Sequence, residues 1–159
     1  MSIETLLWTG LLAILPISEL RGAIPYAIAQ GMSWPLAYLY SVALNALVAP
    51  LCWLFLATLH RLLSHLPWYE RFFNRIIERA RIKIHPQIEK WGWLGIAAFV
   101  AVPLPVTGAW TGTLGAWVLG LDRKKTLLSV TIGVALAGII VTAVVLLGLT
   151  AFSIFVKTL

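Results

Sequence analysis

Charge is what this sequence has least of. Only 11% of its 159 residues are Asp, Glu, Lys or Arg, against roughly 25% in an ordinary soluble domain. With 60% hydrophobic residues and a mean hydropathy of +0.92, the chain reads as an integral membrane protein forming a single membrane domain over 1–159. Cysteine is nearly absent as well. Cys52 stands alone in an apolar run, which excludes a disulfide framework and a thiol cluster. The histidines His60, His65 and His85 lack the i, i+4 spacing of a helical metal pair, so no metal is expected. No Gly-rich phosphate loop follows a strand pattern, which argues against ATP-driven transport by this chain alone. Ser18 beside Glu19 has no histidine or lysine base in the same stretch, so the chain is not expected to be an enzyme or to carry a cofactor. Glu4 precedes the first apolar run but no Lys or Arg does. That is unlike a cleaved signal peptide, and the first block is expected to stay in the mature protein.

Long apolar runs are what the chain has instead. Four blocks occur, at 5–31, 36–63, 93–121 and 126–156. A hydrocarbon core of about 30 Å needs about 20 helical residues. The second and fourth blocks supply them as transmembrane helices, interrupted by little more than Asn45 and Pro50 in the second. The first and third are broken near their middles by "PISELRGAIP" and "VPLPVTGAWTG". Each half is then too short to cross and suits a re-entrant segment.

Basic residues decide between crossing and returning. If blocks one and three re-enter, ten of the twelve Lys and Arg gather on one side, in and around 64–92 and 122–125. The positive-inside rule makes that side cytoplasmic and places both termini outside a cell membrane. The expected fold is therefore an all-α polytopic membrane protein. It is an inverted repeat of two re-entrant helical hairpins, each followed by a transmembrane helix (first repeat 1–63, second 93–159). Between the repeats, "WYERFFNRIIERARIKIHP" places apolar residues at three- and four-residue steps. This predicts a cytoplasmic amphipathic helix on the membrane surface within 64–92, either a structural cover or a reader of anionic headgroups. Basic residues that alternate with Phe and Ile at helical spacing are not a nucleic-acid arm, so membrane lipids are the expected partners.

The residues that invite a functional reading lie at the two breaks. A charge at bilayer depth costs from about 3 to above 10 kcal/mol, so Glu19 and Arg21 need a reason to be there. Two residues apart on a regular helix they would not face each other; in an unwound tip they could pair or share a polar cavity. Pro25 fits the first turn of a following half-helix, whose N–H groups would make the spot anion-friendly. Glu19 is then a candidate proton carrier and Arg21 an anion ligand; the alternative is a structural ion pair. Asn45 lines the same cavity or bonds a neighbouring helix. In the second tip, Pro103 and Pro105 resist helix and Thr107 is placed to cap the next half-helix. Gly108, Gly112 and Gly115 with Thr111 give that half-helix a small packing face, while Thr107 and Thr111 could touch a polar ligand. Pro16, Gly22, Pro103, Pro105, Gly108 and Trp110 are the expected tip-building residues.

At "ISELRGAIPYAIAQG" and "PLPVTGAWTGTLGAW" the chain resembles the small multidrug export protein family, a distant relative of the DedA-like, or VTT-domain, membrane proteins. The resemblance rests on Glu19, Arg21, Gly22 and Pro25 in the first motif. In the second it rests on Pro103, Pro105, Thr107, Gly108, Ala109 and Trp110. It implies two re-entrant hairpins around a central cavity and proton-coupled movement of lipids or lipid-linked carriers. DedA-like hairpins carry acidic and arginine residues in both tips, whereas the second tip here has neither. The expected function is a small secondary transporter or lipid flippase for an amphipathic or lipid-linked anionic substrate, acting as a homo-oligomer. The alternative is a non-transporting scaffold, scramblase-like protein or assembly factor.

Overall fold

The computed structural model describes residues 2–58, 65–67, 70, 71, 73–75, 78, 82, 91–104 and 107–157, with side chains as far as 150. Regular structure among these residues is helical throughout. The order is α1 (Ile3–Ile14), α2 (Glu19–Ala29), α3 (Trp34–Ala46), α4 (Val48–Ala57), α5 (Leu94–Ala101), α6 (Ala109–Val118) and α7 (Arg123–Lys157).

Local chemistry explains where each helix begins and ends. Ser2 caps α1 by accepting from the Thr5 amide at 3.1 Å, and Glu4 in the first turn suits the positive helix end. Pro16 and Pro103 push the residues before them out of the helical region. Leu15 sits at ψ 131 and Val102 at ψ 112, ending α1 and α5. Pro50 lacks the N–H that would serve the Ala46 carbonyl, and the second block is interrupted there, at Leu47 between α3 and α4.

Helices α2 and α6 end in the same way. Gly31 and Gly120 adopt φ +82 and +71. The Met32 amide reaches back to Ala27 O and that of Leu121 to Ala116 O, both at 3.0 Å. This is the Schellman closure, which needs a residue free to adopt positive φ. Each closure leads directly into a long apolar segment. Asp122 then caps α7 by accepting from the Lys125 amide at 3.0 Å.

The long segments are Trp34–Ala57, 24 residues, and Arg123–Thr150, 28 residues, both long and apolar enough to cross a membrane. Helices α1, α2, α5 and α6 have 12, 11, 8 and 10 residues. At 1.5 Å per residue none exceeds about 18 Å, well short of about 30 Å. Helix α7 is the hub and packs on α2, α3, α4, α5 and α6. Its glycines allow close approach. A Cβ at Gly133 would lie 2.7 Å from the Ala97 carbonyl, and one at Gly138 would lie 2.6 Å from Val42. Ile24, Val48, Ile96, Val130 and Val134 fill the core around it.

Contacts between helices set their relative heights. Tyr40 Oη donates to Leu6 O at 3.2 Å and Asn45 Nδ2 to Ala13 O at 2.6 Å, so α1 and α3 run side by side in the same direction. Tyr38 Oη donates to Ala135 O at 3.2 Å, while Gly138 faces Val42 and Tyr38. Asn45 shares a cavity with Val134 and Ala137, so α7 runs opposite to α3. The 15–18 bend thus lies level with Asn45, the twelfth residue of the 24-residue segment.

Most of the expected amphipathic stretch 64–92 lies outside the described residues, as does Pro105. Of its described members, Phe73 is buried against Cys52 and Leu56. Large apolar side chains such as Ile3, Leu7, Leu54, Ile139 and Leu147 are exposed on the outside, as a lipid-facing surface requires.

Candidate functional site

The two breaks meet. Glu19, at the head of α2, is only 6% exposed, and its carboxylate sits at the N-terminus of α6. Glu19 Oε1 accepts from the Trp110 amide at 3.5 Å. Helix α6 has no side-chain cap of its own, and its first amides carry about half a positive charge. Glu19 therefore caps a helix from another part of the chain.

Arg21 does not form an ion pair with Glu19 among the described residues. Its Nη1 donates to the Leu104 carbonyl in the other bend. The second tip answers the first with backbone dipoles instead of side-chain charges, negative for Arg21 and positive for Glu19. This is why a tip without charge can face a tip with two.

Two backbone conformations make the fit possible. Glu19 stands at φ 48, the sole positive-φ residue other than glycine among those described; such a conformation costs about 1–3 kcal/mol and persists where its surroundings hold it. Gly108 opposite adopts φ +155 and ψ −170, a region essentially restricted to glycine. A Cβ there would land on the Glu19 carboxylate, 2.6 Å from Oε1 and nearer still to Oε2.

This geometry corrects two expectations drawn from the sequence. Pro25 is not in the first turn of a half-helix but inside α2, where its missing N–H leaves the Arg21 carbonyl without a helical donor. The amides facing Glu19 come from α6 instead. Thr107 does not cap α6. Its hydroxyl lies 2.5 Å from Val102 O and 2.8 Å from Leu104 O and accepts from the Leu104 amide at 3.0 Å, tying the bend to itself. Thr111 is half-buried on α6. Pro16 is exposed in the first bend, and Gly22 lets α2 approach Ser18, whose Oγ would lie 3.0 Å from an added Cβ.

Asn45 and Trp110 take roles that residue type alone leaves open. In an apolar interior the last four carbonyls of α1 need donors. Leu11 O receives the Leu15 amide at 3.0 Å and Leu12 O receives Ser18 Oγ at 2.5 Å. Ala13 O receives Asn45 Nδ2 at 2.6 Å and Ile14 O receives Trp110 Nε1 at 2.7 Å. The first bend is thus closed by side chains from α3 and α6. Sequence reasoning misses Leu104, Ile14 and the α6 amides, because a backbone partner leaves no mark in residue type.

Glu19, Arg21, Asn45, Pro103, Thr107 and Gly108 surround a cavity with Leu20, Val100, Val134 and Ala137. Its volume is about 10 Å³, close to the least that holds one water. Asn45 Oδ1 is buried without a partner. Among the described residues no three of His, Cys, Asp and Glu come together as a metal site would require.

No curated protein and no solved structure matches the chain. Residues 19–140, from Glu19 at the head of α2 through the second break and into α7, match the model of a family described as "Putative small multi-drug export protein". That description is of a transporter rather than an enzyme, and with two helices fit to cross a bilayer it points to a membrane protein. The match covers well over half of the chain and includes Glu19, Arg21 and the whole second tip, so the protein belongs to the small multidrug export protein family.

Proposed function

We propose that the protein is a small proton-coupled secondary transporter or lipid flippase that moves an amphipathic or lipid-linked anionic substrate between its two tips. On this reading α1–α2 and α5–α6 are re-entrant hairpins entering from opposite faces, an inverted repeat of the kind that the resemblance to DedA-like proteins implies. The matching closures at Gly31 and Gly120 support it. So does the shortness of the four helices. The termini lie outside, and 64–92 and 122–125 face the cytoplasm.

The observation that carries the proposal is a buried Glu19 and a half-buried Arg21 whose charges are held across the junction by backbone groups. A cavity of about 10 Å³ admits no substrate, so this is a closed state. Opening requires the tips to part, giving up two charge-assisted hydrogen bonds of about 1.5–3 kcal/mol each. A substrate anion replaces the Leu104 carbonyl at Arg21. A proton on Glu19 removes the charge that the α6 N-terminus holds. Each ligand thus offsets one of the contacts that keeps the tips together.

Purified protein in liposomes, with and without an imposed proton gradient, tests this against a panel of fluorescent anionic lipids and amphipathic dyes. Gradient-dependent movement lost in Glu19→Gln and Arg21→Ala is the expected result. The second reading, a non-transporting scaffold, is favoured by the same two bonds taken as permanent pins. It is the correct one if both variants melt earlier while no member of the panel moves in any sample.

A further inference from the structure

Nine polar or charged side chains are buried among the described residues; apart from Glu19 and from Thr5, whose hydroxyl meets Ser2 Oγ at 2.8 Å in the α1 cap, their hydrogen bonding divides them by position. Thr113, Thr126 and Ser129 each donate to the carbonyl four residues earlier, at 2.7, 2.9 and 2.7 Å. That is the usual resource of a helical hydroxyl in apolar surroundings. Thr9 Oγ1, Ser41 Oγ, Thr142 Oγ1 and Asn45 Oδ1 have no partner, although all four residues are helical and at most 5% exposed. A buried polar atom left unpaired costs about 1–3 kcal/mol, and contact with water is one way in which such a group is satisfied.

Thr9, Ser41 and Thr142 lie on one side of the tip junction and Asn45 lies at its level. The α1–α3 contact at Ala13 and Asn45 fixes the reference level. Thr9 is four residues before Ala13 and Ser41 four before Asn45, so each stands one turn, about 6 Å, further toward the N-termini of α1 and α3. Thr142 is four residues beyond Gly138, which faces Val42 and Tyr38, and so occupies the same end from α7. Asn45 itself lines the cavity that holds Glu19. Thr126 and Ser129, with their hydroxyls satisfied, lie toward the basic "DRKK" end of α7. Along 2–58 and 126–150 the charged residues are Glu4, Glu19 and Arg21. No other titratable carboxylate, lysine or arginine on α1–α4 or this part of α7 competes for the path.

We propose that Thr9, Ser41, Thr142 and Asn45 line a one-sided water path joining the Glu19 cavity to the end of the protein that carries the N-termini of α1 and α3. The path holds water or a proton and nothing larger. It rests on the transport reading only for its purpose, as the route by which protons reach Glu19. The opposite end is dry, since its buried hydroxyls are turned back onto their own helices. Proton entry is therefore confined to one face as long as the tips are joined.

Silver ion, small and thiophilic, tests the path without any transport assay. In proteoliposomes of a Cys52→Ser chain, Thr9→Cys and Ser41→Cys are exposed to Ag⁺ from outside the vesicle, in samples of known orientation. They are then denatured and labelled with a maleimide dye. Both thiols are expected to be blocked at least about tenfold faster than those of Thr113→Cys and Ser129→Cys, which need local opening to react. The block should come only from the side bearing the α1 N-terminus. Thr142→Cys repeats the measurement from a different helix, and only variants that melt like the parent are compared. Equal rates at all positions, or equal rates from both sides, overturn the path. Fast, one-sided block in a protein that transports nothing keeps the path and removes the transport reading.

Discussion

Replacing Gly108 by alanine probes the junction at its tightest point. Two costs combine. The φ of +155 and ψ of −170 put a residue with a Cβ in a glycine-only region, at about 1–3 kcal/mol. The new methyl would also fall on the Glu19 carboxylate, which must leave and uncap α6, a further 1–2 kcal/mol or so. The sum is about 2–5 kcal/mol. For a domain of this size each kcal/mol moves the melting temperature by roughly 2–4 °C or more, so Gly108→Ala should melt about 5–15 °C below the parent in the same detergent or nanodisc. A double-mutant cycle separates the two costs. Glu19→Ala alone removes the cap, and in the double variant the methyl meets no carboxylate, so the loss of the cap is counted once. The double variant should be more stable than the sum of the singles by about 1 kcal/mol or more, beyond the 0.3–0.5 kcal/mol within which independent sites add. Additive losses, or a Gly108→Ala protein that melts with the parent, refute a Glu19 carboxylate seated against Gly108.

Two further substitutions test the packing that supports the site. Trp110→Phe keeps an aromatic ring, though a smaller one, but leaves the Ile14 carbonyl without its donor, and should cost about 1–3 kcal/mol in thermal melts. Gly133→Ala drives a methyl toward Val100 and the Ala97 carbonyl and should destabilise by about 1–3 kcal/mol. Gly148→Ala, on the same helix with nothing within 4 Å, should be neutral or stabilise by up to about 1 kcal/mol.

The breaks at 15–18 and 102–108 are legible in the sequence because proline acts on its neighbours through local sterics, and no tertiary partner is needed to know where α1 and α5 stop. The two long segments are legible from length and hydropathy. Gly108 is legible as a tip residue, although its reason, the Glu19 carboxylate, is not. What a single sequence withholds is which backbone group a side chain will meet. Pro25 and Thr107 both carry strong local signals for a helix start. Pro25 instead lies inside a continuous α2, and Thr107 bonds Val102 and Leu104 of its own bend. Asn45 and Trp110 serve carbonyls of α1, thirty-two and ninety-six residues away in sequence, and no periodicity announces such a bond.

The pairing of charged side chains with backbone dipoles also bears on how this protein can change. An ion pair between two side chains can be exchanged, acid for base on both sides, and a loss at one position can be repaired by a suppressor at the other. Arg21 and Glu19 have no such counterpart, because Leu104 offers its carbonyl and Trp110 its amide whatever side chain those positions carry. Reversing either charge therefore has no reciprocal mutation to rescue it. The contact that joins the two tips would leave no trace of correlated substitution between them. Its signature would be three positions that hold still, Glu19, Arg21 and Gly108, with Leu104 free to vary and Trp110 kept for its separate bond to the Ile14 carbonyl.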